Sequence, residues 1–489
     1  MTSFCYIAGM KRQIFGYIPV NIANLIVSFG TIVILTRLLE ADEFGRYALA
    51  IALLYFVHMS LFTWVEAAMS RFYARAEQDG NLPTHIKTLY AAALMMIVLC
   101  LPLLFLILYS LPIEPQMRLV LTLALVNSGF NLIYNIGREA HKAAHRIARF
   151  SILQTGNSLC GFAIGVLLVL GTPLREAGPF VGLLIAVMVT LLIDLPFMLS
   201  RTRSARVDRA LGKKYFLYGL PICFSLLLSY ALSQGDLFFI KYFMGDAAVG
   251  GYNAGYNLAN RTLDVGFIWL GMAMTPILIT QLETLGEAEV ARSLNSYAQT
   301  LIVLMLPVAT GIALVADQAG FIVGEPVRAD AVSVMPWIAF AGLLNGAITY
   351  YINQAFVLSK RTGVMAAIMI APVILNFALN IWLIPEFGLR GAVWATLLAY
   401  GLAFVLSVAV SRKYFKLPLP LRTLVQCAGA ATLMALAVIL APMPSGLPDV
   451  ILLLMKAFIG AAVYSACVLT LNIADCRTLL KTVIRKFRT

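Results

Sequence analysis

Two apolar stretches near the middle of the chain carry side chains able to bind an anion or to take up and release a proton. The first, Leu217 to Phe243, places Ser225, Ser229, Ser233 and Asp236 at spacings of four, four and three. The second, from Tyr252, places Asn253, Asn257, Asn260 and Asp264 at spacings of four, three and four. At about 100° per residue each set falls on one face of a helix. Arg261 adjoins the second face, and Lys241 lies near the end of the first stretch. A guanidinium offers paired donors that fit phosphate oxygens, and a carboxylate in apolar surroundings can cycle a proton or hold sodium. On an insertion scale each central charge costs roughly 2.5–3.5 kcal/mol, so these four would cost on the order of 10 kcal/mol against lipid. They are expected to face an aqueous cavity or one another.

Arg261, Arg37 and Lys241 are the candidate cations for an anionic head group. Snorkelling competes as the account of Arg37 and Lys241, which lie near helix ends, and an internal pair with Asp264 competes for Arg261. Asp236, Asp264 and Glu66 are the candidate carboxylates for ion coupling, with charge balance of nearby cations as the alternative. Asn21, Asn24 and Ser28 recur at three and four on the first apolar run and match a cavity face, although Asn and Ser also join helices. His58 stands alone on an apolar face and reads as a satisfied packing residue in preference to a proton relay. Asp194 reads as a solvated carboxylate near the interface, and Lys456 as a lipid-phosphate contact or a snorkelling lysine. Nothing resembles a nucleotide-binding Gly-Lys loop or a His-Glu-x-x-His metal motif, so no catalytic residue, cofactor or metal is expected. The seven cysteines are scattered and lack metal-ligand spacing.

The elements that must carry these residues follow from composition. Of 489 residues 61% are apolar and 12% charged, and the mean hydropathy is +0.88; this is the composition of an all-α polytopic membrane protein. Fourteen runs are long enough to span a bilayer: 15–35, 47–67, 89–111, 118–137, 150–171, 179–200, 217–243, 252–279, 296–316, 336–358, 363–384, 391–411, 421–441 and 450–472. The first is too long for the apolar core of a cleavable signal peptide. The net charge of +13 sits in the short connections rather than on a soluble surface, which argues for membrane orientation and against nucleic acid. One set of connections, with both termini, holds 27 of the 36 basic residues and the opposite side 7. That asymmetry places both termini in the cytoplasm.

An internal repeat divides the chain. Tyr17-Ile18-Pro19 leads to Phe44-Gly45-Arg46-Tyr47, and Gly219-Leu220-Pro221 leads to Val249-Gly250-Gly251-Tyr252. Both copies start on the cytoplasmic side, so the repeats are parallel, and a substrate site is expected in a central cavity between them. The expected parts are a cytoplasmic N-terminus (1–14), a first six-helix half (15–200), a basic linker (201–216), a second half (217–411), two additional helices (412–472) and a basic tail (473–489).

The stretch Arg37-Leu38-Leu39-Glu40-Ala41-Asp42-Glu43-Phe44-Gly45-Arg46-Tyr47 resembles the R-L-L-x-x-x-x-F-G-x-Y junction of polysaccharide-export and Wzx-type oligosaccharide flippases. Asn376-Phe377-Ala378-Leu379-Asn380-Ile381-Trp382-Leu383-Ile384-Pro385-Glu386-Phe387-Gly388, followed by Gly391-Ala392, is similar to that family's segment in helix eleven. The family belongs to the multidrug/oligosaccharidyl-lipid/polysaccharide exporter superfamily. The resemblance implies a non-enzymatic flippase that moves a polyprenyl-diphosphate-linked oligosaccharide, for O-antigen or exopolysaccharide, to the outer leaflet of the bacterial inner membrane. A proton or sodium ion and other polysaccharide-assembly proteins are the further partners expected. The competing readings are a lipid II flippase, a multidrug/cation antiporter of the same superfamily and, from another class, a membrane glycan polymerase or ligase. The last is disfavoured because the longest outer connection, around Asp317–Met335, is short and partly apolar.

Overall fold

The computed structural model describes residues 2–203, 205–361, 363–444 and 446–477, with side chains described from 16 onward except 272, 273 and 276. The basic side chains before residue 16 and the tail beyond 477 therefore lie outside the described residues. Among the described residues every regular element is a helix.

Thirteen helices have the length and hydropathy to cross a membrane. They are α1 (Gly16–Leu38), α2 (Ala41–Gln78), α3 (Leu82–Ser110), α4 (Pro115–Ala143), α5 (Ile147–Gly171), α6 (Arg175–Ser200) and α7 (Arg209–Gln234), then six more after an intervening helix. That intervening helix, α8 (Asp246–Thr284), is 39 residues long and carries the expected eighth span, Tyr252–Ile279. Its side chains at 272, 273 and 276 fall outside the description, so the count of thirteen does not extend to it. The six that follow are α9 (Glu287–Leu314), α10 (Glu325–Leu358), α11 (Gly363–Phe387), α12 (Leu389–Ser411), α13 (Leu421–Leu440) and α14 (Asp449–Thr470).

Several expected boundaries move, the second span running from Ala41 to Gln78 instead of from 47 to 67. The run Leu217–Phe243 is two helices, α7 and a short Asp236–Met244 helix, separated at Gly235. The linker closes earlier because Asp208 caps α7, its carboxylate accepting from the backbone N–H of Ala210 and Leu211. The tenth span begins at Glu325 instead of Pro336, so Pro336 lies inside a helix and the preceding connection is shorter than expected.

The chain divides into two compact units, residues 1–237 with 245–250, and residues 238–244 with 251–489. By packing, α7 therefore belongs with the first unit, whereas the repeat assigns it to the second half. The reason is a close approach: a Cβ at Gly219 would collide with the backbone of Trp64 on α2. In the first unit α4 is central, with 61% of its apolar window buried, while α3, at 11%, is peripheral. In the second unit α10 packs between α9 and α12, and α11 pairs with α12. The two additional helices form a hairpin on α9. Cys427, Ala430 and Met434 of α13 and Tyr464 and Val468 of α14 bury one face there, and the Tyr464 hydroxyl donates to the Val303 carbonyl at 3.0 Å.

The junction of the first repeat has a mechanical explanation. The Glu43 carboxylate closes a capping box on the Glu40 backbone N–H at 2.9 Å. It also receives Nε and a terminal nitrogen of Arg175 at 2.8 and 2.7 Å. Arg46 donates to Glu176 at 2.7 Å, so two cross-links tie the start of α2 to the start of α6. Phe44 is buried, and Gly45 admits the backbone of Asp246, whose carbonyl a Cβ would strike. The second motif closes a helical hairpin. Gly388 takes φ +57°, a left-handed region open to glycine, and Gly391 lies against the Leu383 backbone.

Candidate functional site

In the second unit, α8 brings Asn260, Arg261 and Asp264 together. The Asn260 amide donates to the Asp264 carboxylate at 3.0 Å, and an Arg261 terminal nitrogen lies 3.9 Å from the same oxygen. The spacing explains the contacts, since residues three and four apart are neighbours on a helix. The Arg261 side chain keeps 51% of its exposure and Asp264 28%, so the pair is loose and the guanidinium retains free donors. Gly342 of α10 leaves room for the Asn260 amide, and Phe267 stacks on Tyr350 one turn further along.

The other polar positions on these faces largely satisfy themselves. Ser229 donates to the Ser225 carbonyl at 3.1 Å, Ser233 to the Tyr230 carbonyl at 3.1 Å and Asn257 to the Asn253 carbonyl at 2.9 Å. Such back-bonding lets a polar residue occupy an apolar helix without an external partner. Asn21 and Asn24 are exposed and Ser28 half-buried on α1. Arg37 is exposed at the end of α1, Asp236 is fully buried at the start of the short helix, and Lys241 is half-buried on that helix. Asn376 and Asn380 of α11 are fully buried, with Asn380 donating to Asn376 at 3.1 Å.

In the first unit His58 does not stand alone. His58 and Glu66 form an ion-pair contact, Nε2 to Oε1 at 2.6 Å, with side-chain exposures of 12% and 13%. Asn135 of α4 donates to the same oxygen at 2.9 Å, and Arg138 stands 3.8 Å from the other oxygen. Arg138 also meets Glu139 at 3.3 Å, and Glu139 meets Lys142 at 2.8 Å. Eight positions of α-helix turn through about 800°, which would leave His58 and Glu66 roughly 80° apart. A π-helical turn at His58–Phe62 intervenes. It takes up about one extra residue, so the two side chains return to within roughly 20° of one another. The signal was hidden because a uniform period misplaces every residue beyond such a turn.

Asp194 is likewise not solvated. It is 4% exposed on α6 and accepts from His141 Nε2 at 2.8 Å and from Arg149 Nε at 2.9 Å. Burying a carboxylate requires such donors, and they come from α4 and α5, far away in sequence. The Lys456 ammonium donates to the Gln318 side-chain oxygen at 2.8 Å. Among the described residues no three His, Cys, Asp or Glu side chains gather as metal ligands would.

Residues 10–282 match the family model described as polysaccharide biosynthesis protein. The fold is similar to that of the lipid II flippase MurJ in an inward closed conformation, at a TM-score of 0.72 and 13% identity, covering 96% of this chain and 100% of that one. It is also similar to a multidrug resistance MATE family transporter of the MOP superfamily in an inward-facing conformation, at a TM-score of 0.64 and 13% identity, covering 80% of this chain and 95% of that one. The eukaryotic MATE transporter AtDTX14 matches at a TM-score of 0.54 and 13% identity, over 83% and 99%. No curated protein matches in sequence. At these identities the structural likenesses establish the fold.

Proposed function

Because the chain belongs to the polysaccharide biosynthesis protein family, matched over residues 10–282, we propose that it is a flippase for a polyprenyl-diphosphate-linked oligosaccharide. It would carry an O-antigen or exopolysaccharide unit from the cytoplasmic to the outer leaflet of a bacterial inner membrane by alternating access, with both termini cytoplasmic. The observation that carries this reading is Arg261. A half-exposed guanidinium in a long membrane-type helix, held loosely at 3.9 Å by Asp264, can hand its donors to a diphosphate. Asn260 keeps Asp264 in place when that happens, through its own 3.0 Å bond. Arg37 and Lys241 are further candidate contacts to the head group. Asn21, Asn24, Ser28, Ser225, Ser229, Ser233, Asn253 and Asn257 are candidate contacts to the sugar.

Glu66, in contact with His58 at 2.6 Å, is the first candidate for coupling to a proton. Asp264 and Asp236 are the other candidates for a proton or sodium. Lipid II is the second reading for the cargo, favoured by the fuller coverage of the MurJ structure than of the multidrug transporters.

The test is surface glycan in a deletion strain. Arg261→Ala is expected to reach wild-type membrane levels and abolish export, because its side chain is too exposed to hold the fold. Arg261→Lys is expected to be partly active, since the charge stays and the planar fork is lost. Wild-type export by a stably inserted Arg261→Ala protein would remove Arg261 from the mechanism. Loss of peptidoglycan precursor transport with surface glycan intact would select the second reading.

A further inference from the structure

Three arginines converge on one aromatic ring in the first unit. The guanidinium carbons of Arg149, Arg201 and Arg146 lie 3.9, 4.6 and 5.5 Å from the centroid of Phe197. They come from two places in the chain: Arg146 and Arg149 from the start of α5, Phe197 and Arg201 from the end of α6. An aromatic face attracts each cation singly, but three cations around one ring repel one another. The ion pairs of this region supply one carboxylate to them, Asp194, which Arg149 shares with His141. Arg146 and Arg201 carry no ion pair among those resolved in the described residues. The N-terminal end of α5, capped by Arg146 with no side-chain hydrogen bond, adds positive potential to the same place.

The neighbouring surface is apolar. On α6 Leu192, Ile193 and Leu199 are 75%, 59% and 45% exposed, as expected of side chains that meet acyl chains. Phe197 therefore stands where an apolar helix face gives way to a basic connection, the level at which phospholipid head groups lie. From this juxtaposition we infer that Arg146 and Arg201, gathered over the face of Phe197, bind the phosphate of an anionic phospholipid, with Arg149 held by Asp194 as the fixed wall of the site. The ligand's phosphate diester supplies the missing negative charge, and its acyl chains lie along Leu192, Ile193 and Leu199. None of these residues belongs to the proposed cargo contact, whose Arg261 is on α8.

The experiment is native mass spectrometry of the full chain in detergent, titrated with phosphatidylglycerol, with phosphatidylcholine and with inorganic phosphate as a competitor. Each interfacial arginine is worth about fivefold in affinity for an anionic head group, so Arg146→Gln with Arg201→Gln is expected to weaken phosphatidylglycerol binding roughly 30-fold. Arg149 is left intact because its removal would strand Asp194. The control is Arg203→Gln with Arg206→Gln, which removes the same charge from exposed positions nearby and is expected to weaken binding clearly less than the Arg146/Arg201 variant does. Equal binding of phosphatidylcholine, or equal loss in the control, would reduce the cluster to general surface charge and overturn the inference. Displacement of the lipid by millimolar inorganic phosphate would overturn it in favour of a free-phosphate site. An unchanged affinity in the Arg146/Arg201 variant, folded by its thermal transition, would overturn it outright.

Discussion

Replacing Glu66 and His58 singly and together measures what the ion-pair contact in α2 is worth. The contact is short, 2.6 Å, and both side chains are nearly buried, so it belongs with hydrogen bonds to charged groups, which contribute about 1.5–3 kcal/mol. Removing Glu66 alone also strips Asn135 of its 2.9 Å acceptor and Arg138 of a 3.8 Å partner. Breaking a buried pair from one side typically costs about 3–5 kcal/mol. Here the lower end applies, because Arg138 keeps Glu139 at 3.3 Å. Glu66→Gln is thus expected to cost about 2–3 kcal/mol, since the amide still accepts one bond. His58→Phe is expected to cost about the same, and the double variant less than the sum by about 1.5–2 kcal/mol. The assay is equilibrium unfolding of the purified protein in mixed micelles, read by tryptophan fluorescence. A coupling energy below about 0.5 kcal/mol would refute the pair. It would return His58 to packing against Phe62, whose ring centroid is 6.0 Å away.

Gly45→Ala should prevent stable accumulation, because the new methyl would meet the Asp246 backbone, which cannot move aside as a flexible side chain would; quantitative immunoblotting of membranes checks it, and near-wild-type levels would contradict the close approach. Single-cysteine labelling should place Arg203 and Lys413 on one face of the membrane and Glu114 and Arg175 on the other; labelling of positions 203 and 175 from the same side would break the topology.

Much of the fold was legible because lipid leaves a helix few choices. Backbone polar groups must be satisfied within the segment, so length and hydropathy alone located the thirteen spans, at most boundaries to within a few residues. Two of the exceptions have local causes. Pro336 looked like a boundary yet sits inside α10, and Gly235 divides a run that hydropathy reads as continuous. Arg261 and Asp264 were also legible as a pair, because three positions along a regular helix set their relative direction.

The sequence by itself determined the membrane class, the order of the helices and the polar stripe on α8, since these depend on composition and on a period that holds within one helix. Only the tertiary structure decided which distant groups meet. Glu66 finds Asn135 and Arg138 on another helix, and Asp194 finds His141 and Arg149 on two. Arg175 reaches Glu43 across 132 residues, and three arginines gather on Phe197 from separate helix ends. No spacing in the chain encodes such meetings, because they depend on which helices pack together and on the phase of each. A single π turn at His58–Phe62 shifts that phase for every residue after it.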